Sequence, residues 1–209
     1  MGGLDDLMAE SADRWAAAER RAIGVTDKGL GKALSRYFSL YLPIGFVLLF
    51  IIGAVLGKLL FQGELSALSV YMASGSVLAT LGAMVGGLIY NLKVIGPAVD
   101  MGRIDVTVSL NDDEKKALRR EILGKAPIDP SHLAVKRAVA VQTRRGLATQ
   151  LLYTPGFAFW IVLQAANFGS NLFWWLWPLF GALYIVSMLF LARDFRRAGT
   201  FLSRTAMQI

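Results

Sequence analysis

The sequence predicts an all-α membrane protein, with four transmembrane helices arranged as two hairpins and a set of short cytoplasmic helices. Three observations carry that prediction. Apolar residues make up 55% of the 209 and charged residues only 18%, with a mean hydropathy of +0.50, a balance too apolar for an ordinary soluble domain. The charges are also segregated: residues 37–90 contain only Lys58 and Glu64, and residues 149–190 contain none. Each stretch is about twice the ~20 residues that a helix needs to cross ~30 Å of hydrocarbon, so each reads as a helical hairpin. Finally, 21 of the 22 Lys and Arg residues fall outside those two stretches, where they can mark one side of the membrane. Disorder, a collagen repeat and a disulfide scaffold are excluded, because the chain is apolar and has no cysteine.

Residues 1–36 read as a cytoplasmic amphipathic segment. Leu4, Leu7, Met8, Ser11, Trp15, Ala18 and Ala22 recur at spacings of three and four. Acids come early and bases late, which complements the helix dipole, and Gly24 closes the run. This face either lies in the membrane interface with Trp15 inserted or packs on the other cytoplasmic helices. The 36 largely polar residues ahead of the first apolar run argue against a cleaved signal peptide. After the turn at Thr26-Asp27, Lys28, Lys32 and Arg36 form one positive stripe suited to an anionic leaflet.

Residues 37–90 form the first transmembrane hairpin, with spans at 37–61 and 65–90 and a turn at Gln62-Gly63-Glu64. Pro43 falls early in the first span, where its missing N–H bends a helix. Residues 91–148 are a cytoplasmic helical segment that opens with the stop signal Gly96-Pro97. The alternation of Ile104, Val106, Val108 and Leu110 with polar residues has a strand's period, but it lacks a partner strand and reads as an extended connector. Asn111-Asp112-Asp113-Glu114 is the start of a capped helix that ends at Gly124, and the capping box accounts for those carboxylates without a metal. Asp129 reads as the N-cap of the next helix with Pro130 at its first position. From Leu110 to Pro130 the order of charged helix, glycine and Asp-Pro resembles a pattern of small multi-span membrane proteins of actinobacteria. That resemblance is confined to the middle segment; it implies a bacterial membrane location and no particular activity.

The second transmembrane hairpin occupies residues 149–192, with spans at 147–168 and 172–192 around Gly169-Ser170-Asn171, and residues 193–209 are a basic cytoplasmic tail. Tyr153, Pro155, Gly156 and Phe157 echo Tyr41, Pro43, Gly45 and Phe46, as a tandem duplication of the hairpin would. The bases that flank spans, Lys28, Lys32, Arg36, Lys93, Arg144, Arg145, Arg193, Arg196 and Arg197, all fall on one side, so both termini are expected in the cytoplasm and these residues on anionic headgroups.

Besides these bases, two groups of residues are candidates for function. Gly53, Gly57, Gly75, Ala79, Gly82, Ala83, Gly86 and Gly87 form a small-residue packing face that lets helix backbones approach. It serves first to close the hairpin within one chain, and its excess length leaves a seam for another subunit. Lys58, Glu64, Gln164, Asn167 and Asn171 fall at one outer level and form a polar cluster beneath Trp174, Trp175 and Trp177. No catalytic constellation, cofactor motif, metal spacing or nucleic-acid motif is present, and mid-membrane ionisable groups of the kind a proton relay needs are missing. The expectation is therefore a non-enzymatic accessory or assembly subunit of the cytoplasmic membrane that packs against partner membrane proteins or its own copies and against anionic lipid. The alternative is a small oligomeric channel or transporter lined by Ser and Thr of the second span.

Overall fold

The computed structural model of the chain describes residues 2–61, 67–102, 104–167 and 176–206. Seven α-helices are found among them: α1 (Gly2–Ala22), α2 (Leu30–Arg36), α3 (Leu42–Leu60), α4 (Ala67–Tyr90), α5 (Asp112–Ile122), α6 (Leu133–Asn167) and α7 (Leu176–Thr205). Two two-residue strands, β1 (Thr26–Asp27) and β2 (Val99–Asp100), pair antiparallel, with Thr26 opposite Asp100. The residues form two units, each with its own interior. The apolar unit comprises Gly31–Gly96 and Ala148–Ala192, and the charged unit comprises Met1–Leu30, Pro97–Leu147 and Arg193–Ile209.

Three helical runs, Leu30–Leu60, Val70–Ile95 and Leu176–Thr205, are long and apolar enough to cross a membrane, with hydropathies of 2.5, 1.6 and 1.6. The chain is thus a helical, multi-pass membrane protein. The remaining predicted span lies inside the 35-residue α6 and is not one of the three. Residues 162–167, at the apolar end of this helix, have side chains outside the description.

Within the apolar unit, α4 is central. Of its most apolar stretch 28% is buried, against 11% for Leu30–Leu60 and none for Leu176–Thr205. α3 lies along α4, and α6 takes up another part of its surface. The Thr149 hydroxyl donates to Asn91 Oδ1 at 3.0 Å, Gly87 faces the Leu152 carbonyl, and Gly156 faces Met84. Numbers that rise on α6 as they fall on α4 describe an antiparallel register. α7 joins α6 through the Tyr184 hydroxyl, which donates to the Thr154 carbonyl at 2.6 Å beside Pro155. Phe46 of α3 and Phe159 of α6 bring their ring centres to 4.2 Å.

Two π-turns interrupt these helices, Tyr37–Tyr41 ahead of α3 and Asn91–Ile95 after α4. Each closes on an i to i+5 bond, Leu42 N–H to the Tyr37 carbonyl and Gly96 N–H to the Asn91 carbonyl, and a proline stands two residues beyond each, Pro43 and Pro97. A proline ring presses on the carbonyl one α-turn back, and a wider turn relieves that pressure. Pro43 is thus accommodated by a π-turn immediately upstream.

The charged unit has an apolar interior built from Ala18 and Ala22 of α1, Val106 and Leu110, Leu118 and Ile122 of α5, Val135, Ala138, Val139 and Ala140 of α6, and Ala198 and Phe201 of α7. α1 is therefore packed on its neighbours: Trp15 stacks on the His132 ring at 4.3 Å, and Arg14 and Ser11 reach Glu114 at 3.3 Å. The helix nearest to the capping-box prediction, α5, has both reciprocal bonds between Asn111 and Glu114 at 2.8 Å. Two local expectations are corrected. Val106–Ser109 is a 3₁₀ turn and not an extended connector, because Asp105 caps it through the Thr107 N–H and hydroxyl and the turn buries Val106. Pro130 is not the first residue of a helix: the Asp129 carboxylate is taken by Ser131, His132 adopts φ +52°, and α6 begins at Leu133.

Candidate functional site

The glycines of α3 and α4 fall into two classes according to what a methyl group would meet. At Gly53 it would lie 2.6 Å from the Ser74 carbonyl oxygen, at Gly75 2.8 Å from the Phe50 carbonyl oxygen, and at Gly87 2.9 Å from the Leu152 carbonyl oxygen. These contacts are with backbone, which cannot rotate away. Gly57 faces the short Ser74 side chain, whose hydroxyl is held to the Val70 carbonyl at 2.6 Å, and Gly82 is covered by the tip of Leu49. Ala79 and Ala83 are buried. Gly86 belongs to the second class, as does Gly45 on α3: nothing lies within 4 Å of either.

Both open glycines line a groove of about 440 Å³ between α3 and α4. Its walls are otherwise Leu42, Phe46, Leu49, Gly82, Ala83 and Ile89, and the two π-turns supply Tyr37, Tyr41, Lys93 and Val94 at one end. π-turns recur at functional positions because the extra residue redirects side chains. Here they gather three tyrosines: Tyr90 lies 5.0 Å from Tyr37 and 5.4 Å from Tyr41, and its hydroxyl donates to the Ala33 carbonyl at 2.8 Å. Tyr37 and Tyr90 are buried and Tyr41 is half exposed. Lys93 is the one cation among the lining residues and is exposed. The size lies within the ~300–1,000 Å³ usual for ligand pockets, and apolar walls with one lysine suit an acyl chain or a helix. A second apolar space of about 620 Å³ lies further along the same two helices, beside Gly53, Gly57 and Ser74.

The bases expected on headgroups are divided. Lys32, Arg36, Arg196 and Arg197 are exposed, as Lys93 is. Lys28 pairs with Asp100 at 2.5 Å, Arg193 lies 3.6 Å from Asp194, and Arg145 reaches the Met101 sulfur at 3.9 Å. Arg144 is mostly buried, bonded to Asp27 and seated 4.6 Å over the Phe195 ring, where it holds the charged unit together. Of the outer polar residues, Lys58 is exposed near the end of α3. Gln164 and Asn167 fall in the last turns of α6 with side chains outside the description, and Glu64 and Asn171 lie outside the described residues, as do Trp174 and Trp175.

Sequence reasoning missed the groove, the π-turns and a buried ion pair, Lys136 with Glu121 at 2.8 Å. A proline two residues past each π-turn was the available signal for the turns. Compared with protein-family models, curated proteins and solved structures, the chain matches none.

Proposed function

We propose that the chain is a non-enzymatic accessory or assembly subunit of a bacterial cytoplasmic membrane, and that its α3–α4 groove seats a helix of a partner membrane protein. One observation carries this reading. Gly45 and Gly86 open onto the groove with no atom within 4 Å of a methyl position, so the packing face retains capacity after the chain's own contacts are made. In lipid, close backbone approach over small residues is what drives helix association. The exposed Lys32, Arg36 and Lys93 add contact with anionic headgroups.

The same reading has four spans with both termini cytoplasmic. Its support is the register of α6: Thr149, Leu152 and Gly156 run alongside Asn91, Gly87 and Met84, so the apolar half of α6 shares the depth of a helix long enough to cross. The test is gentle extraction, intact-complex mass measurement and identification of co-purifying chains, on the native chain and on Gly86→Leu. A defined partner that is lost from Gly86→Leu while the variant remains folded is the expected result. A stable monomer without partners overturns the reading, and a closed ring of identical chains replaces it with the channel.

A further inference from the structure

We propose that the charged unit carries a binding site for a phosphate-bearing anion, set where the end of α5 and the turn after it face the last turns of α7. On α7, Phe195, Ala198, Phe201 and Thr205 are buried. Helical geometry then places Arg197, Thr200 and Arg204, at i, i+3 and i+7, on one stripe beside that buried face. Opposite them α5 closes in a Schellman turn: Gly124 adopts φ +68°, its N–H bonds the Glu121 carbonyl at 2.9 Å, and the Lys125 N–H bonds the Arg120 carbonyl at 2.7 Å. The chain reverses there, so Ala126, Pro127 and Ile128 form the far wall of a cleft of about 430 Å³ whose near wall holds Arg197, Thr200, Phe201 and Arg204.

The charge in this cleft is uncompensated. Its one carboxylate, Glu121, is taken by the Lys136 ammonium at 2.8 Å and the Asp129 N–H at 3.3 Å. Arg197 and Arg204 have no ion-pair partner among the described residues. Across Leu123, which lines both, a second cleft of about 340 Å³ holds Lys116, Arg119, Arg120 and Lys125 around Asp194. Membrane orientation does not account for these four cations of α5 and its closing turn, since residues 116–125 lie more than 20 residues in sequence from both residue 95 and residue 147. Of the six cations around this leucine Lys116 is paired with Asp113 at 3.4 Å and Asp194 offsets part of the second cleft; the remaining positive charge is in excess, and an anion that bridges the two clefts relieves that repulsion. Guanidinium forks bind phosphoryl oxygens in pairs, which makes phosphate the chemistry that fits two arginines free of ion pairs on one stripe of α7, while the Thr200 hydroxyl between them is spent on the Arg196 carbonyl at 3.1 Å.

The phosphate has two sources, a soluble polyphosphorylated molecule or a lipid headgroup, and the experiment separates them. The full chain is placed in nanodiscs of phosphatidylcholine and titrated calorimetrically with tripolyphosphate. In a second arm the discs contain phosphatidylinositol phosphate, and the lipid retained on the protein is measured by native mass spectrometry. Binding is expected in at least one arm: the first identifies a soluble ligand, the second alone a headgroup. Arg197→Gln and Arg204→Gln each weaken it about tenfold or more, the effect of one lost charge-assisted bond, while Arg20→Gln, at an exposed position on α1 that lines neither cleft, leaves it unchanged. Thermal unfolding of each variant establishes that the fold is retained. Failure to bind in both arms, binding that survives both arginine substitutions, or polyglutamate binding as tightly as tripolyphosphate overturns the proposal.

Discussion

Lys136 shows how much one buried charge constrains its surroundings. Its side chain is only 3% exposed, and its ammonium meets Glu121 at 2.8 Å, the Asp129 carbonyl at 2.8 Å and the Asp129 carboxylate at 3.8 Å. Lys136→Met leaves Glu121 charged in a place with little water and is expected to cost about 3 kcal/mol, whereas adding Glu121→Leu recovers much of that loss. Chemical unfolding of the four members of this cycle is the check, and strict additivity contradicts the pairing. Glu114 yields a prediction for pH. Burial by itself would raise its carboxyl, but the Asn111 N–H, the Arg14 guanidinium and the Ser11 hydroxyl outweigh it and hold the group below the usual glutamate range. Because the folded value is the lower one, its contribution is complete above the unfolded value and is lost as pH falls through the folded one. Asp129, held low chiefly by the Ser131 hydroxyl, has the same sign. Thermal stability should therefore decline on acidification below the ordinary carboxylate range, and Glu114→Gln should make that decline shallower.

At the scale of the helix, the two classes of glycine separate by substitution. Gly53→Ala and Gly75→Ala push a methyl group into backbone at 2.6 and 2.8 Å and should open the α3–α4 pair, read as a lower melting temperature in detergent. Gly86→Ala meets nothing and should be neutral or stabilising by up to about 1 kcal/mol, because alanine is the better helix former. Equal losses at all three positions would contradict this division. Such a partition is not readable from spacing, since Gly82, Gly86 and Gly87 fall within six residues of one helix and only the neighbours distinguish them. The helices themselves were legible: the Asn111 capping box and the Gly24 and Gly124 stops are local signals that stand in the structure, and three of the four predicted apolar runs form helices long and apolar enough to cross a membrane. What was misread at Val106–Ser109 and at Pro130 depended on short carboxylates. Asp105 and Asp129 bonded the backbone and hydroxyl two residues on, which outcompeted the strand period and the helix start. The candidate site was half legible, because its glycines stand in the sequence, but its three tyrosines are brought together by turns with no composition of their own.

For the whole molecule the deciding property is the number of crossings. The chain has no cysteine, so single cysteines at Ser131 and Ser170 can be labelled with membrane-impermeant reagents in intact cells and in inverted vesicles. With four spans Ser170 labels from outside and Ser131 from inside; if α6 does not cross, the two label from the same side. The charged unit rests on pairings across distant parts of the chain, Arg144 with Asp27 and Arg14 with Glu114, so Arg144→Met should loosen it and expose Ala18 to exchange on deuteration. The two π-turns also constrain the chain's history of length change. A helix advances about 100° per residue, so each turn is in effect one residue inserted into a helix, and it rephases everything beyond it. Deleting one residue within Asn91–Ile95 should restore α-helical phase there, swing Gly96 and Pro97 by about 100° and put β2 out of step with β1. Insertions and deletions in these few residues therefore act on the molecule as rotations, while those in the loops act only as changes of reach.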